Sequence, residues 1–153
     1  MPGETNLARL LAAMQPERQP GEYVFCTVAP AAPVPATALG WFRDSEGLTL
    51  ILPRATADAQ GLPYHYVSAW LTLTVHSSLE AVGLTAAVAA ALTAENISCN
   101  VVAAYHHDHL FVALADADRA MQALWALSAA TAAAGSSRQR LNDVEARPFA
   151  ARY

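Results

Sequence analysis

The chain has 153 residues, 54% of them hydrophobic and only 14% charged, which suits one compact unit or two small ones sharing a core and excludes disordered and fibrous classes. The net charge is -4 and all nine basic residues are arginine; they are scattered until the tail, so no cationic stripe is available to neutralise a row of phosphates and no nucleic acid is expected as a partner. The opening Met1 to Arg9 lacks a cationic start leading into a long apolar stretch, and apolar runs elsewhere break well short of a bilayer's width, so neither export nor membrane spanning is expected. Cys26 and Cys99 each sit inside an apolar run, the usual setting of a buried reduced thiol, and a cytoplasmic location follows.

In chain order, Leu7, Leu10, Leu11 and Met14 recur at helical spacing behind Thr5 as cap, and Pro16 and Pro20 end that helix. Glu22 to Val28 reads as a strand, followed by a proline-rich loop that cannot donate to a ladder. Gly40 to Asp44 and Gly47 to Leu52 are two further strands around a D-S-E-G turn, and Ala55 to Gln60 makes one helical turn after Pro53. Trp70 to Val75 alternates as a strand, and Leu79 to Ala94 is an Ala-rich helix. Ile97 to Tyr105 and Leu110 to Leu114 are strands joined by a hairpin turn at His106 to His109. Asp116 caps a last helix carrying Met121, Leu124, Trp125 and Leu127, which fades at Gly135 into a polar tail.

Helix, strand, strand, helix occurs twice, with F-C-T-V set against S-C-N-V and G-L-T-L-I-L-P against D-H-L-F-V-A-L. Two related halves are implied, over residues 1–68 and 69–134, with 135–153 as tail. Each has the size of a β-α-β-β-α-β unit yet lacks a strand, so strands are shared, with Trp70 to Val75 at the junction. An α+β architecture follows, an antiparallel sheet with helices on one face.

The run from W-L-T-L-T-V through V-G-L, I-S-C-N-V and H-D-H-L-F-V resembles the second half of small bacterial proteins of two tandem ACT-like domains, and Y-V-F-C-T-V with E-G-L-T-L-I-L-P resembles their first half. The second half is also similar to domains of the eukaryotic cytosolic arginine sensor. The resemblance covers Glu22 to Ser128 and implies a ferredoxin-like fold, a regulatory or sensor role, and a free amino acid or similar small metabolite bound where halves or protomers meet. A homodimer is expected, since such sheets commonly pair.

An amino acid needs an anion site beside an acceptor. Val82, Gly83 and Leu84 occupy the place where ACT-type domains enter a helix through glycine, where unpaired N–H groups and the helix dipole favour a carboxylate. Close helix packing is the alternative role for Gly83. S-S-L-E also reads as a capping box starting at Ser77, with Glu80 either a plain cap or a partner for the ligand ammonium. Asn100 lies on the next strand, either at the ligand or as an amide tying strands together. Asp108 sits in the following turn, where the resemblance places an Asp near the ligand and where ordinary turn chemistry would also put one.

His76, His106, His107 and His109 invite a metal reading, but alternate strand residues point apart and no second ligand cluster is present, so no metal or cofactor is expected. Ser77 and Ser78 beside His76 form no triad geometry, the thiols lie in apolar strands, and no phosphate loop appears, so no enzymatic activity is expected. Trp41, Trp70, Trp125 and Phe111 read as core and interface bulk. A ferredoxin-like interaction scaffold, and more remotely a metal enzyme at the H-H-D-H turn, are the rival readings.

Overall fold

The computed structural model describes residues 3–145, with side chains as far as Arg138. Four helices, α1 (Leu7–Ala13), α2 (Arg54–Ala59), α3 (Leu84–Ala94) and α4 (Ala117–Glu145), accompany seven strands. These are β1 (Pro16–Arg18), β2 (Tyr23–Val28), β3 (Gly40–Arg43), β4 (Leu48–Pro53), β5 (Val67–Leu73), β6 (Cys99–Ala103) and β7 (Asp108–Ala113). They form one antiparallel sheet in the order β3-β4-β2-β5-β7-β6, with β1 also paired to β5.

The strand order explains how two incomplete halves share a sheet. In β2-β3-β4-α2-β5 the last strand lies beside the first; in β5-α3-β6-β7-α4 the place beside β5 is taken by β1 from the N-terminus. β5 therefore closes the first half and opens the second. It begins earlier than its alternation alone suggests, at Val67, because Tyr23 and Val24 pair with Ser68 and Val67. The topology also sorts the two internal correspondences. β4 and β7 occupy equivalent places, but F-C-T-V lies on β2 and S-C-N-V leads into β6, which do not.

Alternation along the strands separates two faces. On one, Ala69, Leu71, Leu73, Leu110 and Val112 pack with Leu10, Leu11 and Met14 of α1, Leu84, Val88 and Leu92 of α3, and Leu124 of α4. On the same side, Val24, Cys26, Leu48, Leu50 and Leu52 enclose Ala57 of α2. All helices thus lie on one face, as burial of one stripe per helix requires. The opposite face carries Tyr23, Phe25, Ile51, Trp70 and Phe111. The sheet curls about that face, so that Gly40 of β3 and Val102 of β6, on its two outermost strands, line one hollow.

Several local expectations are corrected. Asn6, not Thr5, caps α1, accepting from Arg9 N at 3.0 Å, while the Thr5 amide is taken by Glu4. Pro16 does not merely stop a helix, since Pro16 to Arg18 pair with Leu71 to Leu73. α3 starts at Leu84 rather than Leu79 because Glu4 N donates to His76 O and Ser78 N to Glu4 O, holding residues 76–78 extended. Asp116 ends a 3-10 turn and pairs with Arg119 at 3.0 Å rather than capping α4. α4 runs through Gly135 to Glu145; one glycine disfavours a helix by only about 1 kcal/mol, and the Ser136 and Ser137 hydroxyls bond back to Ala132 and Ala133. Residues 146–153 of the expected tail lie outside the described residues.

Candidate functional site

α3 begins without a side-chain cap. Gly83 occupies the N-cap position at φ 98° and ψ -12°, and its carbonyl accepts from Ala87 N at 2.9 Å. The first amides of a helix have no partner inside it, so those of Leu84, Thr85 and Ala86 face outward. A small cavity of about 70 Å³ lies here, walled by Ser77, Ser78, Leu84, Thr85, Ala103 and Asp108.

Asp108 reaches this cavity because it opens β7 opposite Leu73 and Ala103, on the helix-bearing side. Among the described residues it is the one buried charged side chain, 8% exposed. Burial raises its pKa above the ordinary carboxyl value, while His109, the Ser77 hydroxyl and His107 pull it back down. The cavity therefore sets a carboxylate opposite the positive end of a helix. Neighbouring it is an open depression of about 720 Å³ lined by Glu4, His76, Glu80, Tyr105 and His106, which shares Ser77, Ser78 and Leu79 with the cavity.

Leu84 and Asp108 meet in the cavity and Gly83 adjoins it. Of the two roles expected for the glycine, the geometry favours close packing, with α1 and not a strand as the neighbour: the space beside its Cα is filled by Leu7, whose Cδ2 would stand 2.9 Å from an added Cβ. What approaches closely is α1 of this chain, and a positive φ requires glycine independently. Val82 is 83% exposed and lines neither the cavity nor the depression. Glu80 is exposed and lines the depression, not the cavity; its amide donates to Ser78 Oγ at 3.2 Å, and it caps no helix. Asn100 does not join the others. It pairs with Phe111, so it shares the opposite face of the sheet and is exposed there, neither a buried tie nor a neighbour of α3.

The cavity is built entirely from residues 77–108, so it lies inside the second half and not where the halves meet. Sequence alone points to Ser77 as a cap rather than as a site residue, and does not point to Thr85 at all. An S-S dipeptide before a helix signals a cap, and only the Glu4 pairing shows that these serines line a cavity. The rings of His76, His106 and His107 stand with centroids 5.1 to 6.3 Å apart. Among the described residues no group of three or more His, Cys, Asp or Glu is arranged to hold a metal ion. No helix among them is long and apolar enough to cross a membrane.

Residues 2–69 match a family model described as an ACT domain, and residues 66–125 match a second model of the same description. No curated protein sequence matches the chain. Among solved structures, a Vibrio cholerae protein of unknown function, described as a possible transport protein, is similar at 44% identity and a TM-score of 0.70, over 80% of this chain and 95% of that one. An Agrobacterium tumefaciens protein is similar at 19% identity and a TM-score of 0.59, over 75% and 89% of the two chains. The allosteric aspartate kinase of Clostridium acetobutylicum shares the fold at 9% identity and a TM-score of 0.56, over 74% of this chain and 34% of that one. With two such domains in tandem, and with a 44% identical relative covered over nearly its whole length, the chain belongs to the ACT-domain family.

Proposed function

We propose that the protein is a regulatory sensor that binds a free amino acid at the uncapped start of α3. One observation carries the reading: outward amides of Leu84 and Thr85 and the buried Asp108 line the same small cavity. A zwitterion matches both, with its carboxylate on the helix amides and its ammonium on Asp108. The cavity is large enough only for that charged head, and the depression beside it, with Glu80, His76 and Tyr105, receives the side chain. Family membership supports a regulatory rather than a catalytic role.

Occupancy is transmitted through α1. Leu7 packs on Gly83 and Glu4 on residues 76–78, so a ligand that draws the start of α3 toward Asp108 alters the seat of the N-terminal segment. The protein acts in the cytoplasm as a homodimer. β3 ends the sheet and exposes Trp41 and Phe42 at 55% and 72%, an edge that pairing with a second copy would cover.

Thermal unfolding in the presence of each of the twenty amino acids tests the reading, since ligand at a hundredfold its Kd adds about 2.7 kcal/mol of stability. At least one amino acid is expected to raise the transition, and Asp108→Asn to weaken its binding tenfold or more, about the worth of a charge-assisted hydrogen bond. No shift with any of them would leave a ferredoxin-like interaction scaffold as the better reading.

A further inference from the structure

The sheet face turned away from the helices carries a set of interlocked rings. Tyr23 and Trp70 meet edge to face with centroids 5.3 Å apart at 82°, and Phe25 and Phe111 meet at 5.3 Å and 87°. Such contacts fix ring orientation as well as burying apolar area. Because the sheet curls, this face forms a hollow of about 310 Å³, within the range of small-molecule sites. Gly40 and Ile51 wall it from the first half; Trp70, Phe111 and Val102 wall it from the second, with His109 the one titratable side chain among them.

His109 is held in a defined state. Trp70 Nε1 donates to His109 Nδ1 at 3.1 Å. An indole N–H can only donate, so Nδ1 presents a lone pair and the neutral ring carries its proton on Nε2. The Thr72 hydroxyl stands 3.2 Å from the same Nδ1 and takes the Gln19 amide at 3.2 Å, which fixes the ring further. Burial favours the neutral form as well, lowering the pKa of His109. Nε2–H is thus an oriented donor without a partner among the described residues.

Gly40 is the second unusual feature. An added Cβ there meets nothing within 4 Å, and its φ is not positive, so neither crowding nor backbone geometry calls for glycine. Glycine weakens a strand. Gly40 pairs with Ile51 and shares its face, so the missing side chain is what leaves the hollow open.

The geometry points to a second binding site, for a small uncharged ring compound with one carbonyl-type acceptor, its ring among Ile51, Trp70, Val102 and Phe111 and its oxygen on His109 Nε2. An anion is disfavoured because no cation lines the hollow to offset its desolvation. This ligand class and this face are both distinct from the zwitterion cavity at α3.

NMR titration of the full chain with acetophenone, ethylbenzene and benzoate tests the site. Acetophenone is expected to move the Trp70 indole resonance and to bind about fivefold more tightly than ethylbenzene, the worth of one hydrogen bond, with benzoate weaker than acetophenone. Gly40→Leu, which places its side chain in open space, is expected to keep the remaining spectrum and lose acetophenone affinity by about tenfold or more. Unchanged affinity in that variant overturns the site, and so does equal binding of acetophenone and ethylbenzene. A Trp70 shift that follows protein concentration alone also overturns it, since the hollow is then filled by a second copy.

Discussion

Asp108 and His109 are neighbours on β7, yet they line cavities on opposite faces of the same sheet. Strand alternation does this: Asp108 falls in line with Leu110 and Val112 under the helices, and His109 with Phe111 among the rings. One strand therefore serves both pockets, and a slip of one residue would exchange the carboxylate and the imidazole between them.

The raised pKa of Asp108 predicts an acid-side stability profile. A carboxyl that holds its proton more tightly when folded stabilises fully below its unfolded pKa, and that contribution is lost as pH rises through the folded value. At neutral pH the buried carboxylate is a net burden. Asp108→Asn is therefore expected to be at least as stable as the parent at neutral pH and to flatten the profile between those two values, read from urea midpoints. A variant less stable by more than about 1 kcal/mol would show that the contact with Ser77 outweighs desolvation.

His109 predicts the opposite slope at milder pH. Burial, then the charge of His107, lowers its pKa, with Asp108 opposing, so the unfolded chain takes up the proton first. Stability is present above the unfolded value and lost as pH falls through the folded one. Protonation also removes the acceptor for Trp70 Nε1, so Trp70 emission should change with the loss. Between about pH 7.5 and about pH 5.5, His109→Gln is expected to give a flatter profile; an equally steep one assigns the acid loss to other groups.

Gly83 is held by both backbone and packing. Gly83→Ala places a Cβ on a residue at φ 98° and 2.9 Å from Leu7 Cδ2, and should destabilise by about 1–3 kcal/mol. In a Leu7→Ala background the steric part disappears and the loss shrinks. An equal loss in both backgrounds, measured by urea denaturation, would assign the whole effect to the backbone.

The thiols are expected to be silent in the folded state. Burial pushes Cys99 up to about 11 and raises Cys26 as well, and the thiolate is the reactive form. A disulfide-exchange reagent at neutral pH should label neither until the protein unfolds. Fast labelling of Cys99 in native buffer would show that β6 opens locally.

Where alternation or helical spacing is strong, the elements are legible in the residues themselves. β4 and β7 follow from L-T-L-I-L and H-L-F-V, and α4 from Met121, Leu124 and Leu127. β1 escapes notice because three residues beginning with proline have no pattern; they are a strand only because β5 has a free edge beside them. The start of α3 is ambiguous for a similar reason. Ser77 and Glu80 have capping chemistry, and a bridge to Glu4, more than seventy residues away in the chain, decides against it.

By itself the sequence determined the α+β class, the duplicated plan and the sharing of a strand between halves, because side-chain volume, backbone freedom and periodicity act over a few residues. Only the tertiary structure decided that Asn100 faces away from Asp108, that Leu7 fills the space beside Gly83, and that Trp70, Phe111 and His109 wall a hollow. Those outcomes depend on which strands pair and how the sheet curls, and these are set by contacts between segments distant in the chain.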